Sequence, residues 1–305
     1  MIRFILRRLL WMIPTLWVVA TITFFLMRAA PGGPFQAEKE IPEDVKEALM
    51  ARYGLDKPLG EQYLTFLGNV VRLEFGPSYK TPGRTVREII ASGFPVSLEL
   101  GSWALLFALA VGIPIGVIAA LNQNKPVDHA SMAAALIGVS IPDFVLGPLL
   151  VFIFSLSLYW LPPALWEGPS TKILPVITLG SVYVAYIARL TRSGMLEVIR
   201  QDWIRTARAK GLSESLIVWR HALRGGLLPV VSFLGPAAAR IVTGAVVVEK
   251  IFAIPGLGRY FVDGAFNRDY TLVMGVVLFY ATFLVLFNLI VDVAYGLLDP
   301  RVRLS

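Results

Sequence analysis

Six stretches of roughly twenty or more mostly apolar residues, separated by polar segments, leave this chain few folds to choose from. A hydrocarbon layer about 30 Å thick is crossed by ~20 residues of helix rising 1.5 Å each. No water reaches the backbone there, so each run must close its hydrogen bonds within itself, as an α-helix. The runs cover residues 9–27, 96–121, 131–160, 172–190, 228–249 and 271–298. Composition agrees: 56% of the 305 residues are hydrophobic, and mean hydropathy is +0.68. The fold class expected is all-α integral membrane, with six transmembrane helices. The third run contains Ile141-Pro142-Asp143, which predicts a kink with an acidic residue near mid-depth.

Arg3, Arg7 and Arg8 precede the first run. A signal peptide is the rival reading, since Ala29 and Ala30 follow. The run is longer than a usual signal core, and Arg28 sits where a cleavage region should be uncharged, so an uncleaved first span is favoured. Short segments set orientation. Those assigned to the cytoplasm carry the three N-terminal arginines, Lys125, seven Lys or Arg from Arg192 to Arg224, then Arg301 and Arg303. The 161–170 loop assigned outside carries none. The 31–94 segment holds Lys and Arg as well, but long segments translocate largely regardless of charge. Both termini are therefore expected in the cytoplasm.

Three divisions follow: residues 1–30 as tail and first helix, 31–94 as an extracytoplasmic cap, and 95–305 as a five-helix core. The cap holds too many aromatics and leucines for disorder. Short helices are expected from Pro42-Glu43-Asp44, with Val45, Leu49 and Tyr53 on one face, and over 60–72.

The charge of +7 fits loops facing anionic lipid rather than nucleic acid. There are no cysteines, and His129 and His221 are too few and too far apart for a metal cluster, so no metal site is expected. His221, among arginines, reads as a structural donor rather than a proton relay. No G-x-x-x-x-G-K-[ST] run occurs, so the chain carries no nucleotide-binding loop of its own. No catalytic His–carboxylate or Ser–His pair lies within the spans.

The cytoplasmic loop 191–228 is the most informative polar stretch. It includes WIRTARAKGLSESLIVWRHALRGGLLP, where Ile204, Ala207, Leu212, Leu216, Ile217 and Trp219 fall at helical spacing among Arg205, Arg208, Lys210, Arg220 and Arg224. Ala207 and Gly211 make an A-x-x-x-G step. This predicts a short amphipathic helix pair with a glycine break, read either as a surface helix lying on lipid or as a knob for a partner protein.

The loop resembles that of importer-type ABC permeases, known for E-A-A-x-x-x-G, and is closest to the peptide-permease version. Arg205 and Thr206 stand where the general pattern has the acidic residue and first alanine, as is usual in the peptide branch. Further matches are Val248-Glu249-Lys250-Ile251-Phe252 with Pro255-Gly256-Leu257-Gly258, then Arg268-Asp269-Tyr270, Asp292 and Asp299-Pro300-Arg301. Nearly the whole chain takes part. The resemblance implies the type I ABC importer permease fold and the B-type permease subunit of an oligopeptide importer. It implies a second homologous permease subunit, two ATP-binding subunits that hold ATP and Mg, and an extracytoplasmic peptide-binding protein. No cofactor is expected in this chain, which is not itself an enzyme. Dipeptides, nickel chelates or heme are alternative cargoes on the same scaffold. A stand-alone ion-coupled carrier is the more distant alternative, and it would need an inverted repeat and more intramembrane carboxylates.

Coupling to an ATPase is expected through Arg205, Thr206, Ala207, Arg208, Ala209, Lys210, Gly211, Leu212 and Leu216. For the translocation path, ionisable residues within spans are the natural candidates, because insertion scales charge about 2.5–3.5 kcal/mol for them. These are Asp143 and Arg240. They either face a water-filled path and meet passing peptide termini, or pair with each other or with backbone and lock two helices together. Gly235 and Ala239 form a small-x-x-x-small step, read as path lining or as close helix packing.

Overall fold

The structure, a computed structural model, describes residues 2–30, 33–35, 42–81 and 83–298, without the side chains of 2–4, 46 and 292–298. The Asp292 side chain and the whole Asp299-Pro300-Arg301 motif lie outside the described residues. Described secondary structure is helical, apart from one isolated antiparallel bridge between Pro77 and Thr85. By its contacts the chain forms two compact units, Met1–Ser97 with Pro255–Ser305 and Leu98–Ile254.

The first unit holds α1 (Ile2–Ala29), α2 (Glu43–Arg52), α3 (Leu59–Val71), the start of α4 (Val86–Leu121), α13 (Leu257–Phe266) and α14 (Tyr270–Leu298). α2 and α3 fall where the cap helices are expected. Along α1, Leu10, Trp11, Ile13 and Trp17 are exposed, the mark of a face meant for lipid. Thr15 and Thr21 satisfy their hydroxyls on the carbonyls of Trp11 and Trp17, at 2.9 and 2.7 Å, so neither needs water. The far end of α1 packs Phe24 against Tyr270 and Met274 of α14 and Tyr63 and Phe66 of α3. A second cluster joins Val86, Ile89 and Ile90 of α4 to Leu257, Leu272 and Val276.

The second unit holds the rest of α4, then α5 (Pro126–Ser140), α6 (Asp143–Leu150) running into a π-helical turn (Val151–Ser157), and α7 (Pro169–Ile199). The 191–228 loop follows: α8 (Asp202–Ala209), α9 (Glu214–Leu216), a second π-helical turn (Ile217–Ala222) and α10 (Leu223–Gly226). α11 (Leu228–Gly244) and α12 (Val246–Ile251) complete it. α4 and α7 pack closely because α4 offers glycine. A Cβ on Gly116 would lie 2.5 Å from the Ala188 carbonyl oxygen and 2.6 Å from Thr191 Cβ, so any larger residue would push the helices apart.

Five helices are long and apolar enough to cross a bilayer, and the α5–α6 pair makes six if counted as one span. That pair is where the sequence expectation changes most. Instead of one kinked helix, the chain bends by 102°. Pro142 supplies no N–H and forces Ile141 out of the helical region, to φ −99°, ψ 118°. Each limb has about fifteen residues and reaches only ~22 Å, short of a crossing by itself.

Candidate functional site

The 191–228 loop is built on an apolar floor. Ile204, Ile217 and Ala222 are fully buried and pack with Val117 and Ala120 of α4 and Met195 of α7. Ala207 and Leu212 are half-buried against the same floor. The opposite face stays open: Arg205, Thr206, Arg208, Ala209, Lys210, Gly211 and Leu216 are exposed, as are Trp203 and Trp219. The nine sequence-predicted coupling residues thus fall into seven that face outward and two that seat the helix.

Gly211 makes the turn after α8 with φ +79°, a left-handed conformation that costs an L-residue roughly 1 kcal/mol or more. Across the turn the Arg208 guanidinium donates twice to Glu214, Nε to Oε1 at 2.7 Å and Nη2 to Oε2 at 3.2 Å. That contact holds the Glu214 carboxyl below the usual carboxylate range. Ser213 Oγ accepts from the Leu216 N–H at 3.4 Å and starts the next helical turn. The loop therefore presents a stapled basic and aromatic surface on a firm base. Thr206 adds a bond within α8, its Oγ1 donating to the Asp202 carbonyl at 3.0 Å.

Within the spans of the same unit, a cavity of about 280 Å³ is lined by Tyr183 and Tyr186 of α7 and by Phe233, Pro236, Ala237 and Arg240 of α11. The α11 residues repeat at three and four, so they share one helix face. Gly235 is half-buried and Ala239 fully buried, and neither lines this cavity. Asp143 opens α6, where the helix dipole favours a carboxylate. Its Oδ1 is buried and accepts no hydrogen bond. Tyr183 lies within electrostatic reach of both Asp143 and Arg240. Among the described residues no ion pair joins Asp143 to Arg240.

Three further arrangements had no sequence forecast. Asp128, 1% exposed at the start of α5, receives two bonds from Arg192 of α7: Nε to Oδ1 at 2.7 Å and Nη2 to Oδ2 at 2.6 Å. The Asn124 N–H adds a third at 2.9 Å. Only the side chains' types were readable in advance; nothing in the spacing of 64 residues announces the pair. The Arg268-Asp269-Tyr270 motif gains a role in the first unit. Asp269 is fully buried and accepts from Ser78 Oγ at 2.5 Å, from the N–H groups of Tyr79 and Lys80 at 3.1 and 3.3 Å, and from the Leu272 N–H at 3.2 Å. It caps α14 and clasps the Phe75–Tyr79 loop at once. In the second unit Glu99 of α4 pairs with Lys172 of α7 and accepts from Trp166 Nε1 at 3.0 Å. Among the described residues no group of three or more His, Cys, Asp or Glu is placed to hold a metal ion.

Comparison with known proteins completes the description. Residues 112–304 match the family described as binding-protein-dependent transport system inner membrane component. Residues 1–101 match that described as binding-protein-dependent transport system membrane component, N-terminal. The chain is 47% identical to the oligopeptide transport system permease protein OppB of Haemophilus influenzae, over 99% of this chain and 100% of the relative. It is 47% identical to the dipeptide transport system permease protein DppB of Bacillus subtilis, over 100% of this chain and 99% of the relative. Among solved structures, the MetNI methionine ABC transporter in inward-facing conformation superposes with TM-score 0.54 at 19% identity, over 70% of this chain and 97% of that one. At that identity the likeness speaks for the fold, which is that of type I ABC importer permeases. With matched segments covering nearly all of its length, this multi-pass membrane chain belongs to the family of inner-membrane permease components of binding-protein-dependent transport systems.

Proposed function

We propose that this permease carries peptides across the bacterial inner membrane as one half of an ATP-driven importer. The observation that carries the proposal is near-half identity, end to end, with permeases named for oligopeptide and dipeptide transport. Oligopeptides are the favoured cargo. The equal identity to a dipeptide permease makes dipeptides a second reading and puts the choice of peptide length in another chain, the binding protein that delivers the substrate.

In this reading a second homologous permease subunit completes the path. Two ATP-binding subunits bind ATP and Mg, and both termini of this chain face them in the cytoplasm. The 31–94 cap meets the binding protein outside, and the 95–305 core carries the path and the 191–228 loop. The exposed face from Arg205 to Leu216 sits in a groove of one ATPase. Closure of the ATPase pair drags α8 as a rigid body, which is why the apolar floor under Ile204 and Ile217 matters: a soft contact would absorb the stroke. Asp143, Arg240 and the Tyr183–Tyr186–Phe233 wall belong to the path. Arg240 meets the peptide carboxylate and Asp143 its amino group, charges that exist only while a zwitterion passes. Gly235 and Ala239 keep α11 close to its neighbours on the other side.

Two measurements test this. Gly211→Asp should leave the protein in the membrane and abolish peptide uptake, because it strains the turn and puts a carboxylate among the docking cations. Normal uptake by that variant would remove the docking assignment. Mild-detergent purification of the tagged chain should bring down two ATPases and a second six-helix subunit. Recovery of the chain alone would bring a stand-alone carrier to the front.

A further inference from the structure

The first unit contains a second cavity, of about 320 Å³, that peptide transport leaves without a role. Its floor is Arg28, in the last turn of α1. The guanidinium is half-buried, lies 3.6 Å above the Phe24 ring, and donates from Nε to Gln62 Oε1 at 3.0 Å. Among the described residues no carboxylate pairs with it. Buried arginines are normally neutralised; this one is held by an amide, a ring and a thioether, with Nη1 3.9 Å from Met274 Sδ. Arg52 and Lys57 stand exposed on the rim, and Lys57 is engaged by Glu61 at 2.6 Å. Glu74 is the one carboxylate on the wall, against three cations. Tyr79, also on the wall, is pushed by burial up to about 12 and adds a neutral hydroxyl rather than a charge.

Depth narrows the choice of anion. The apolar run 9–27 reaches about 28 Å at 1.5 Å per residue, so Arg28 lies at the edge of the hydrocarbon, the level of the phosphates. Thr271 and Met274, in the first turns of α14, line the same cavity. On α1, Phe25 and Leu26 are 48% and 64% exposed, an apolar track for an acyl chain just inside the arginine. The size suits a headgroup, since it lies at the small end of ligand pockets.

We propose that this cavity binds the phosphodiester headgroup of an anionic phospholipid, with Arg28 as the principal ligand and Arg52 as a rim ligand. A planar guanidinium suits two phosphate oxygens at once, whereas an ammonium offers a point charge. The lipid ties α1, the cap helices α2 and α3, and α14 together at the membrane surface. The proposal does not depend on the transported cargo.

The test uses the full chain, solubilised with whatever subunits accompany it and stripped of lipid. It is titrated with short-chain phosphatidylglycerol, and bound lipid is counted by native mass spectrometry. One tightly held lipid is expected. Arg28→Gln should weaken it about tenfold, with Arg28→Lys and Arg52→Gln each weakening it about threefold. Phosphatidylcholine, whose cation meets the rim cations, should bind more weakly than phosphatidylglycerol. If Arg28→Gln does not reach the membrane, Arg52→Gln carries the test, because its side chain is exposed and, among the described residues, touches only the neighbouring Tyr53 ring, at 5.9 Å. Unchanged affinity in every folded variant would overturn the proposal. Millimolar inorganic phosphate should fail to displace a lipid held by head and chain; full displacement would replace the lipid with a free phosphate. A dipeptide that displaces the lipid would make the cavity a cargo site instead.

Discussion

The Asp128–Arg192 and Asp143–Arg240 sets of the Leu98–Ile254 unit are built in opposite ways. Asp128 and Arg192 are paired, with both carboxylate oxygens and two guanidinium nitrogens in register and a backbone N–H filling a third place. Asp143 and Arg240 are left apart, with a buried Asp143 oxygen lacking a partner and Arg240 exposed on a cavity wall between aromatic rings. The residue types are the same, an aspartate and an arginine in each set. What differs is whether the protein supplies the counter-charge. The satisfied pair holds α5 to α7 at the base of the 191–228 loop. The Asp143–Arg240 set has no such internal partner among the described residues, and in the function proposed above a zwitterionic peptide brings both signs.

The comparison is sharpest where one partner is removed. Asp128→Ala leaves the Arg192 guanidinium uncompensated beside a buried pocket, and should lower the apparent melting temperature in detergent by roughly 10 °C and deplete the protein from the membrane. The double variant Asp128→Asn with Arg192→Gln should recover part of that loss, since the charges leave together. The two substitutions acting independently would break the paired half of the contrast. Next comes Arg240→Gln: melting within about 2 °C of wild type, but uptake of peptides with a free carboxylate down about tenfold and of amidated peptides much less. Equal loss for both peptides, or a melting shift like that of Asp128→Ala, would make Arg240 another structural charge. Asp143→Asn should lower uptake of peptides with a free amino group by a smaller amount, about threefold, and of N-acetylated peptides much less, because only one of its oxygens is shown to lack a partner.

Much of this was legible in the chain and some was not, for physical reasons. Span positions follow from hydropathy because the bilayer imposes one length and one hydrogen-bonding solution. The cap helices were readable from Pro42 and the acidic first turn, and the loop's inward face from the spacing of Ile204, Ala207 and Leu212. Arg240 could be marked as costly, but its aromatic surroundings could not, because Tyr183 and Tyr186 look like any helix-face pair until α11 is laid beside them. Gly235 and Ala239 illustrate a converse limit: a small-x-x-x-small step says that one face is thin, and does not say which face meets the cavity. The 102° bend at Ile141–Pro142 was underestimated as a kink, since sequence shows that proline breaks a helix but not what catches the two limbs. Asp128 with Arg192, and Asp269 with Ser78, are pairs across 64 and 191 residues that only tertiary structure brings together.

The smallest effect concerns a third acid–base pair, exposed on the loop, which separates electrostatics from rigidity. Arg208 holds the Glu214 carboxyl below its usual range, so the folded loop binds that proton less well than the unfolded chain does. The pair's contribution is then fully present above the ordinary carboxylate pKa of about 4.3 and is lost as pH falls through the lowered folded value. Melting of wild type and Glu214→Gln should differ by a constant amount from pH 8 to pH 5, no more than about 1–2 °C because the pair is solvent-screened, and converge once pH falls below the lowered folded value. Uptake at neutral pH should change less than twofold, since Ile204 and Ile217, not the surface pair, hold α8 in place. A large uptake defect with unchanged melting would move the pair to the docking face itself, with Glu214 aiming Arg208 at the partner rather than bracing the turn at Gly211.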